Sequence, residues 1–222
     1  MEIKLNLSFL KPLPDYLVQR YYGWKATTFA NSKSWFHKLA EDGQHPRAMI
    51  ISCCDSRVHV TSIFGSDAGE FFIHRNIANL VPPFKKDEDY HGTSATIEYA
   101  VKSLKIPHII VLGHSTCGGV KASYDYFSGS NPSLKEDSNF VASWLEILRP
   151  SFNNISKEFS DEHKISKLEK EAVLTSVKNL TTFPFIQEAL KKGSLSIHGL
   201  WHNIGTGELM SYDNKTNDFI FL

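Results

Sequence analysis

Long apolar runs are missing from this chain of 222 residues. None approaches the ~20 consecutive apolar residues that a bilayer-spanning helix needs, so no membrane partner is expected. The amino-terminal stretch MEIKLNLSFLKPLPDY lacks the apolar core and small-residue cleavage site of a secretory signal. A cytoplasmic location is therefore the expectation. Net charge is missing too. The 24 Lys and Arg balance 24 Asp and Glu, and a chain without a field of one sign is not drawn to nucleic acid or anionic membrane. Cysteine is scarce: there are three, and two of them, Cys53 and Cys54, are adjacent. That is a poor disulfide framework, and no C-x-x-C is present to suggest thiol redox work. No internal repeat, G-x-G-x-x-G or low-complexity tract is visible either, which excludes solenoids and counts against a dinucleotide-binding fold.

What is present is ordinary globular material, with 41% apolar and 22% charged residues. One domain of this length buries roughly 70% of the unfolded chain's surface without covalent staples. Helical spacing begins at Pro14-Asp15, and a second helical stretch runs from about Lys25 to Asp42, with Gly43 as its stop. Three short runs rich in Ile, Val and Phe follow, at 48–52, 71–73 and 108–113. Their continuity suits strands buried on both faces, as in a parallel sheet. Between the last two, Ile97, Ala100, Val101 and Leu104 form the core stripe of a helix over about 92–104. The polar stretch 128–139 reads as an exposed loop. Helical pattern resumes over 140–148 and over 164–192, where Pro184 must break or kink it. The tail reads as a strand over 195–204 and a hairpin through GELMSYD and DFIFL. The expectation is a single α/β domain over 1–222: a mainly parallel β-sheet flanked by helices, with an N-terminal helical arm over about 1–45. Such a sheet places its site at the carboxyl ends of the parallel strands.

Those ends carry the chemistry. If the backbone stays extended through Cys53-Cys54-Asp55-Ser56-Arg57, period-two alternation sets Cys53, Asp55 and Arg57 on one side and Cys54 and Ser56 on the other. The third run ends in Gly113-His114-Ser115-Thr116-Cys117, where His114 and Cys117 are spaced i, i+3 and can aim at one atom. Cys53, His114 and Cys117 then make a Cys₂His zinc site with a fourth position left over, and Asp55 is the candidate for that place. Structural zinc takes four protein ligands, whereas catalytic zinc keeps three. The plainer alternatives are a small buried thiol at Cys53 and a backbone-bonded imidazole at His114. A competitor uses the same segment. Gly113-His114-Ser115-Thr116-Cys117 approaches the G-x-S-x-G elbow of an α/β-hydrolase, with Ser115 as nucleophile and His198 or His202 as base, but Cys stands where the strained turn needs Gly.

At this point the sequence resembles the β-class carbonic anhydrases. The resemblance runs from about Trp24 to Gly207 and rests on four ordered segments: MIISCCDSRV (49–58) on the C-x-D-x-R motif, GEFFIHRNIANLVPP (69–83), GTSATIEYAV (92–101), and GHSTCGG (113–119) on the H-x-x-C-G-G motif. It implies zinc, one ion per chain, on Cys53, His114 and Cys117, with Asp55 and Arg57 as the Asp–Arg pair beside the metal. Gln44 falls where the plant-like type has an active-site Gln, and Phe72, Ile77, Tyr99 and Gly118 fall on the substrate pocket. Ile77 replaces the usual Val, and Phe72 and Ile77 read from sequence alone as core. The Trp–Arg–Tyr set that marks the other bacterial subtype is not found. The implied reaction is reversible hydration of CO₂ to bicarbonate and a proton by metal-bound hydroxide. The implied assembly is a homodimer or dimer of dimers in which the arm wraps a partner. A carbon disulfide or carbonyl sulfide hydrolase on the same zinc site fits these motifs as well. An alcohol dehydrogenase-like site would share the ligands but lacks its dinucleotide loop. His59, His74 and His91 are candidate proton shuttles.

Overall fold

The apolar runs become strands in a computed structural model that describes residues 8–86 and 91–222. The described chain falls into two units divided between Gln44 and His45. The first carries helix α1 (Asp15–Trp24), a π-helical turn (Lys25–Phe29) and α2 (Lys33–Asp42). Within it the rings of Trp24, Phe29 and Phe36 meet at 5.3–5.8 Å. None of the residues of α1 or α2 is buried, and Leu13, Tyr16, Tyr21 and Tyr22 lie exposed.

The second unit is built on one sheet. In chain order its elements are β1 (Ala48–Cys53), α3 (Val60–Ile63), β2 (Phe71–Asn76), α4 (Gly92–Glu98), β3 (His108–His114) and α5 (Gly118–Ser128). There follow α6 (Leu134–Asp137), α7 (Asn139–Leu145), α8 (Arg149–Asn154), α9 (Asp161–Leu180), α10 (Pro184–Lys191), β4 (Ser196–His202), β5 (Leu209–Asp213) and β6 (Asp218–Phe221). Strand order is β2-β1-β3-β4-β5-β6, parallel through β4 and antiparallel beyond it. The mainly parallel sheet is as the sequence reads, and the tail hairpin is the antiparallel edge. β1 is buried along its whole length. β2 is not, because it is an edge strand with one neighbour, and Ile73 is exposed. The expectation of burial on both faces therefore fails for that run, and in β3 it holds except at exposed His108 and half-buried Ile110.

Helices differ from the pattern in detail. The 128–139 stretch contains the single turn of α6. A further helix, α8, follows the 140–148 segment with Pro150 in its first turn, where the missing N–H costs nothing. Pro184 likewise starts α10, so 164–192 is two helices. Gly113 lets α9 lie close on β3: a Cβ there would stand 2.5 Å from Val173 Cγ2. Among the described residues no helix is long and apolar enough to cross a membrane.

Candidate metal centre

The order β2-β1-β3-β4 makes the chain turn one way after β1 and the other way after β2, so a crevice opens beyond the carboxyl ends of β1 and β3. Cys53 is the last residue of β1 and His114 the last of β3. Because Ser52 pairs with Leu112, both strands deliver their chemistry to the same end. Cys53 is buried and Cys54 exposed, as alternation requires.

Alternation stops at Cys53, however. The chain turns, and Val58 N–H donates to the Asp55 carbonyl at 3.0 Å. This corrects the extended reading of residues 53–57: Asp55 and Arg57 meet because the turn folds them together. Arg57 donates from its backbone N–H and from Nε to Asp55 Oδ1, each at 3.0 Å, and from Nη2 to Oδ2 at 2.7 Å. The paired guanidinium holds the Asp55 carboxyl well below the usual carboxylate range. Arg75 on β2 staples the same turn by donating to the carbonyls of Cys53 (3.0 Å), Asp55 (2.8 Å) and Val58 (2.8 Å).

His114 and Cys117 do not share a helical turn either. Cys117 is the extended residue capping α5, and Thr116 before it has φ +55. For a β-branched residue that backbone is costly, on the order of 1 kcal/mol or more. Glu169, buried on α9, accepts the Cys117 N–H at 3.1 Å, and burial pushes its carboxyl up to about 7.

The result is a buried trio. One ligand atom each of Cys53, His114 and Cys117 lies within 4.8 Å of the others, and the two sulfurs are 3.9 Å apart. The His114 Nδ1 must donate to the Ser115 carbonyl at 2.9 Å, since a carbonyl only accepts. That places a proton on Nδ1 and leaves Nε2 buried and without a hydrogen-bond partner. The two sulfurs share a hydrogen bond, which drives the Cys53 thiol down and the Cys117 thiol up. Backbone N–H groups of Asp55 and Ala78 face the first sulfur, and those of Gly119 and Val120 the second. Two sulfurs, each faced by backbone N–H groups, and one unpartnered imidazole nitrogen are the donor set of a soft or borderline divalent cation.

The other expected residues lie as follows. Phe72 on β2 is half-buried and its ring meets that of Tyr99 at 5.9 Å. Tyr99 is 48% exposed and Ile77 37%, so neither is the core residue that sequence alone suggests for Ile77. Ile77 Cγ2 would stand 2.7 Å from a Cβ at Gly119, which therefore has to be glycine. Gly118 is exposed at the start of α5. Gln44 closes the other unit. His59 Nδ1 is engaged by Thr61 and Ser62 hydroxyls, His74 by Thr93, and His91 precedes α4. Arg75, Thr116 and Glu169 had no sequence signal: a charged residue in a strand or helix shows neither its turn-stapling role nor its burial, and a threonine does not announce a left-handed backbone.

Comparison with known proteins decides the kinship. The family model described as carbonic anhydrase matches residues 48–209. Beta carbonic anhydrase 3 of Arabidopsis thaliana is 35% identical over 198 residues, covering 87% of this chain and 75% of that protein. The chain belongs to the β-carbonic anhydrase family. The solved structure of the β-carbonic anhydrase CcaA superposes with a TM-score of 0.86 at 34% identity, covering 94% of this chain and 98% of that one. A tetrameric β-carbonic anhydrase of Sordaria macrospora gives 0.70 at 30% identity, covering 89% and 95%. The whole trio lies inside the matched segment. Membership of the β-carbonic anhydrases leaves the Ser115 esterase reading without support, and so does the geometry. Ser115 Oγ accepts from Ile204 N–H at 2.9 Å and donates to Asn203 at 3.4 Å. His198 is engaged by His108 and His202 by the Glu208 carbonyl, so neither serves Ser115.

Proposed function

We propose that this protein catalyses the reversible hydration of carbon dioxide to bicarbonate and a proton, using one zinc ion per chain held by Cys53, His114 and Cys117. The observation that carries the reading is the unpartnered, buried His114 Nε2 facing two sulfurs in a β-carbonic anhydrase fold. Zinc bound there supplies the Lewis acidity that makes water nucleophilic near neutral pH. Asp55, kept ionised by Arg57, accepts a hydrogen bond from the attacking water and aims its lone pair at the CO₂ carbon. Arg57 also restrains Asp55 by occupying both carboxylate oxygens. The Gly118 N–H donates to an oxygen of substrate or product. Phe72, Ile77 and Tyr99 present an apolar wall, which suits a small uncharged substrate.

The exposure of Tyr99 and Ile77, and of the aromatic residues of α1, supports a homodimer or dimer of dimers whose arms cover a partner. A cytoplasmic location belongs to the same reading. Stopped-flow CO₂ hydration tests it. Activity should vanish when zinc is stripped by a chelator and return with zinc alone. A zinc-loaded protein that hydrolyses carbon disulfide or carbonyl sulfide but leaves CO₂ at the background rate would reassign the substrate.

A further inference from the structure

Arg57 is held on two edges at once. Its Nε and Nη2 face Asp55, while Nη1 donates to Thr116 Oγ1 at 3.2 Å and Nη2 donates to the Thr116 carbonyl at 2.9 Å. A guanidinium offers two edges that can grip a carboxylate in bidentate fashion, one through Nε and one through the paired Nη nitrogens. Thr116 occupies the second edge, so Asp55 is left only the first. Arg57 is otherwise loosely held, with its side chain half exposed. Among the described residues these two bonds and the Cys53–Cys117 contact join the turn after β1 to the turn after β3.

Thr116 holds this position at a cost. Its φ of +55 lies in the left-handed region, where asparagine or glycine sits more easily than a β-branched residue. The residue is exposed, so core packing does not impose it.

We propose that Thr116 is a positioning residue for the Asp55–Arg57 pair, its hydroxyl and carbonyl setting the guanidinium plane and thereby the rotation of the Asp55 carboxylate. The inference rests on the hydration reading, because orienting Asp55 matters only where that carboxylate aims a nucleophile. It separates two properties that a purely structural threonine would keep together, the strain in the backbone and the acceptor on the side chain.

Three zinc-loaded variants read them apart. Thr116→Val keeps the branch and the strain but removes the acceptor. Thr116→Gly removes both. Thr116→Asn relieves the strain and keeps a side-chain oxygen. The kcat should fall about three- to ten-fold in Thr116→Val and Thr116→Gly, the size of one ordinary hydrogen bond at a half-exposed group, and stay within about two-fold of wild type in Thr116→Asn. Thermal midpoints should instead rank the glycine and asparagine variants at or above wild type and the valine variant no higher. Zinc content should not change. In an Arg57→Lys background Thr116→Val should add no further loss, since its effect passes through the guanidinium. Rotation of the Arg57 guanidinium, followed by ¹⁵N NMR of the zinc-loaded protein, should be hindered in wild type and freer in Thr116→Val, whatever the substrate. If that NMR difference is found in a protein that does not hydrate CO₂, the tether stands and the hydration reading falls. If wild type hydrates CO₂ but Thr116→Val matches it in both kcat and guanidinium rotation, or if kcat follows thermal midpoint across the three variants, the positioning role is overturned.

Discussion

Cys53 and Cys117 bring their sulfurs to 3.9 Å across 64 residues of sequence. The approach follows from topology: adjacent parallel strands end side by side, and a tight turn after β3 carries the second thiol back toward the first. Without a cation the two sulfurs share one proton, because two bare thiolates at that distance repel. A divalent cation replaces the shared proton and is neutralised by the pair, which couples metal binding to proton release.

The trio should therefore hold about one zinc per chain, measurable by metal analysis of the purified protein. Cys53→Ser and His114→Ala should each lose it. Cys54→Ser, which alters an exposed thiol beside the site, should retain both zinc and activity. Stoichiometric zinc in the His114→Ala protein would remove the imidazole from the ligand set.

The Asp55–Arg57 pair should matter to turnover and not to metal loading. Neither side chain belongs to the trio, and the side-on bond pattern needs the fork of a guanidinium. Asp55→Asn and Arg57→Ala should each lower kcat/KM on the order of 100-fold with zinc unchanged, and Arg57→Lys should not rescue. Metal loss in step with activity would make the pair a structural support of the site instead.

The strands and the site ends were legible because buried strands read as unbroken Ile/Val/Phe runs and because ligand residues stand directly after them. Cys53 and Cys54 could be told apart by parity alone. The turns were not legible. The meeting of Asp55 with Arg57 depends on a reversal after Cys53, and the position of Cys117 depends on a left-handed Thr116, which the sequence gives no reason to place there. Glu169 sits in a helix whose other charges are exposed or half-buried, so its burial against Cys117 is set by how α9 crosses β3. Ile77 and Tyr99 show why burial is hard to read from an apolar letter: both are apolar in character and both face outward in the single chain.

Gly113 fixes that crossing. A methyl group there would meet Val173 Cγ2 at 2.5 Å and the Glu169 carbonyl at 3.4 Å, and Val173 is fully buried. Gly113→Ala should cost about 1–3 kcal/mol in urea unfolding, as overpacked cores do. It should also weaken zinc retention, because α9 carries the Glu169 carboxylate that holds the Cys117 N–H. Val173→Ala in the same chain should recover part of both losses. An additive double variant would show that the two side chains do not collide.

His74 should make stability depend on pH in a defined direction. Burial disfavours its imidazolium and lowers its pKa below the ordinary histidine value, while Thr93 Oγ1 keeps its Nε2 hydrogen-bonded at 3.0 Å. In the unfolded chain the same side chain titrates near 6.5. As pH falls through that value the unfolded state takes up the proton first, so stability drops from about pH 7 downward and levels off below the folded pKa. His74→Gln retains a partner for Thr93 and cannot titrate. Urea midpoints of the two zinc-loaded proteins should therefore differ by an amount that changes between pH 7.5 and pH 5.5, with wild type losing more on acidification. Acid loss of zinc is common to both proteins and cancels in the comparison, so a difference that stays constant across that range would show that His74 is as free to ionise in the fold as out of it.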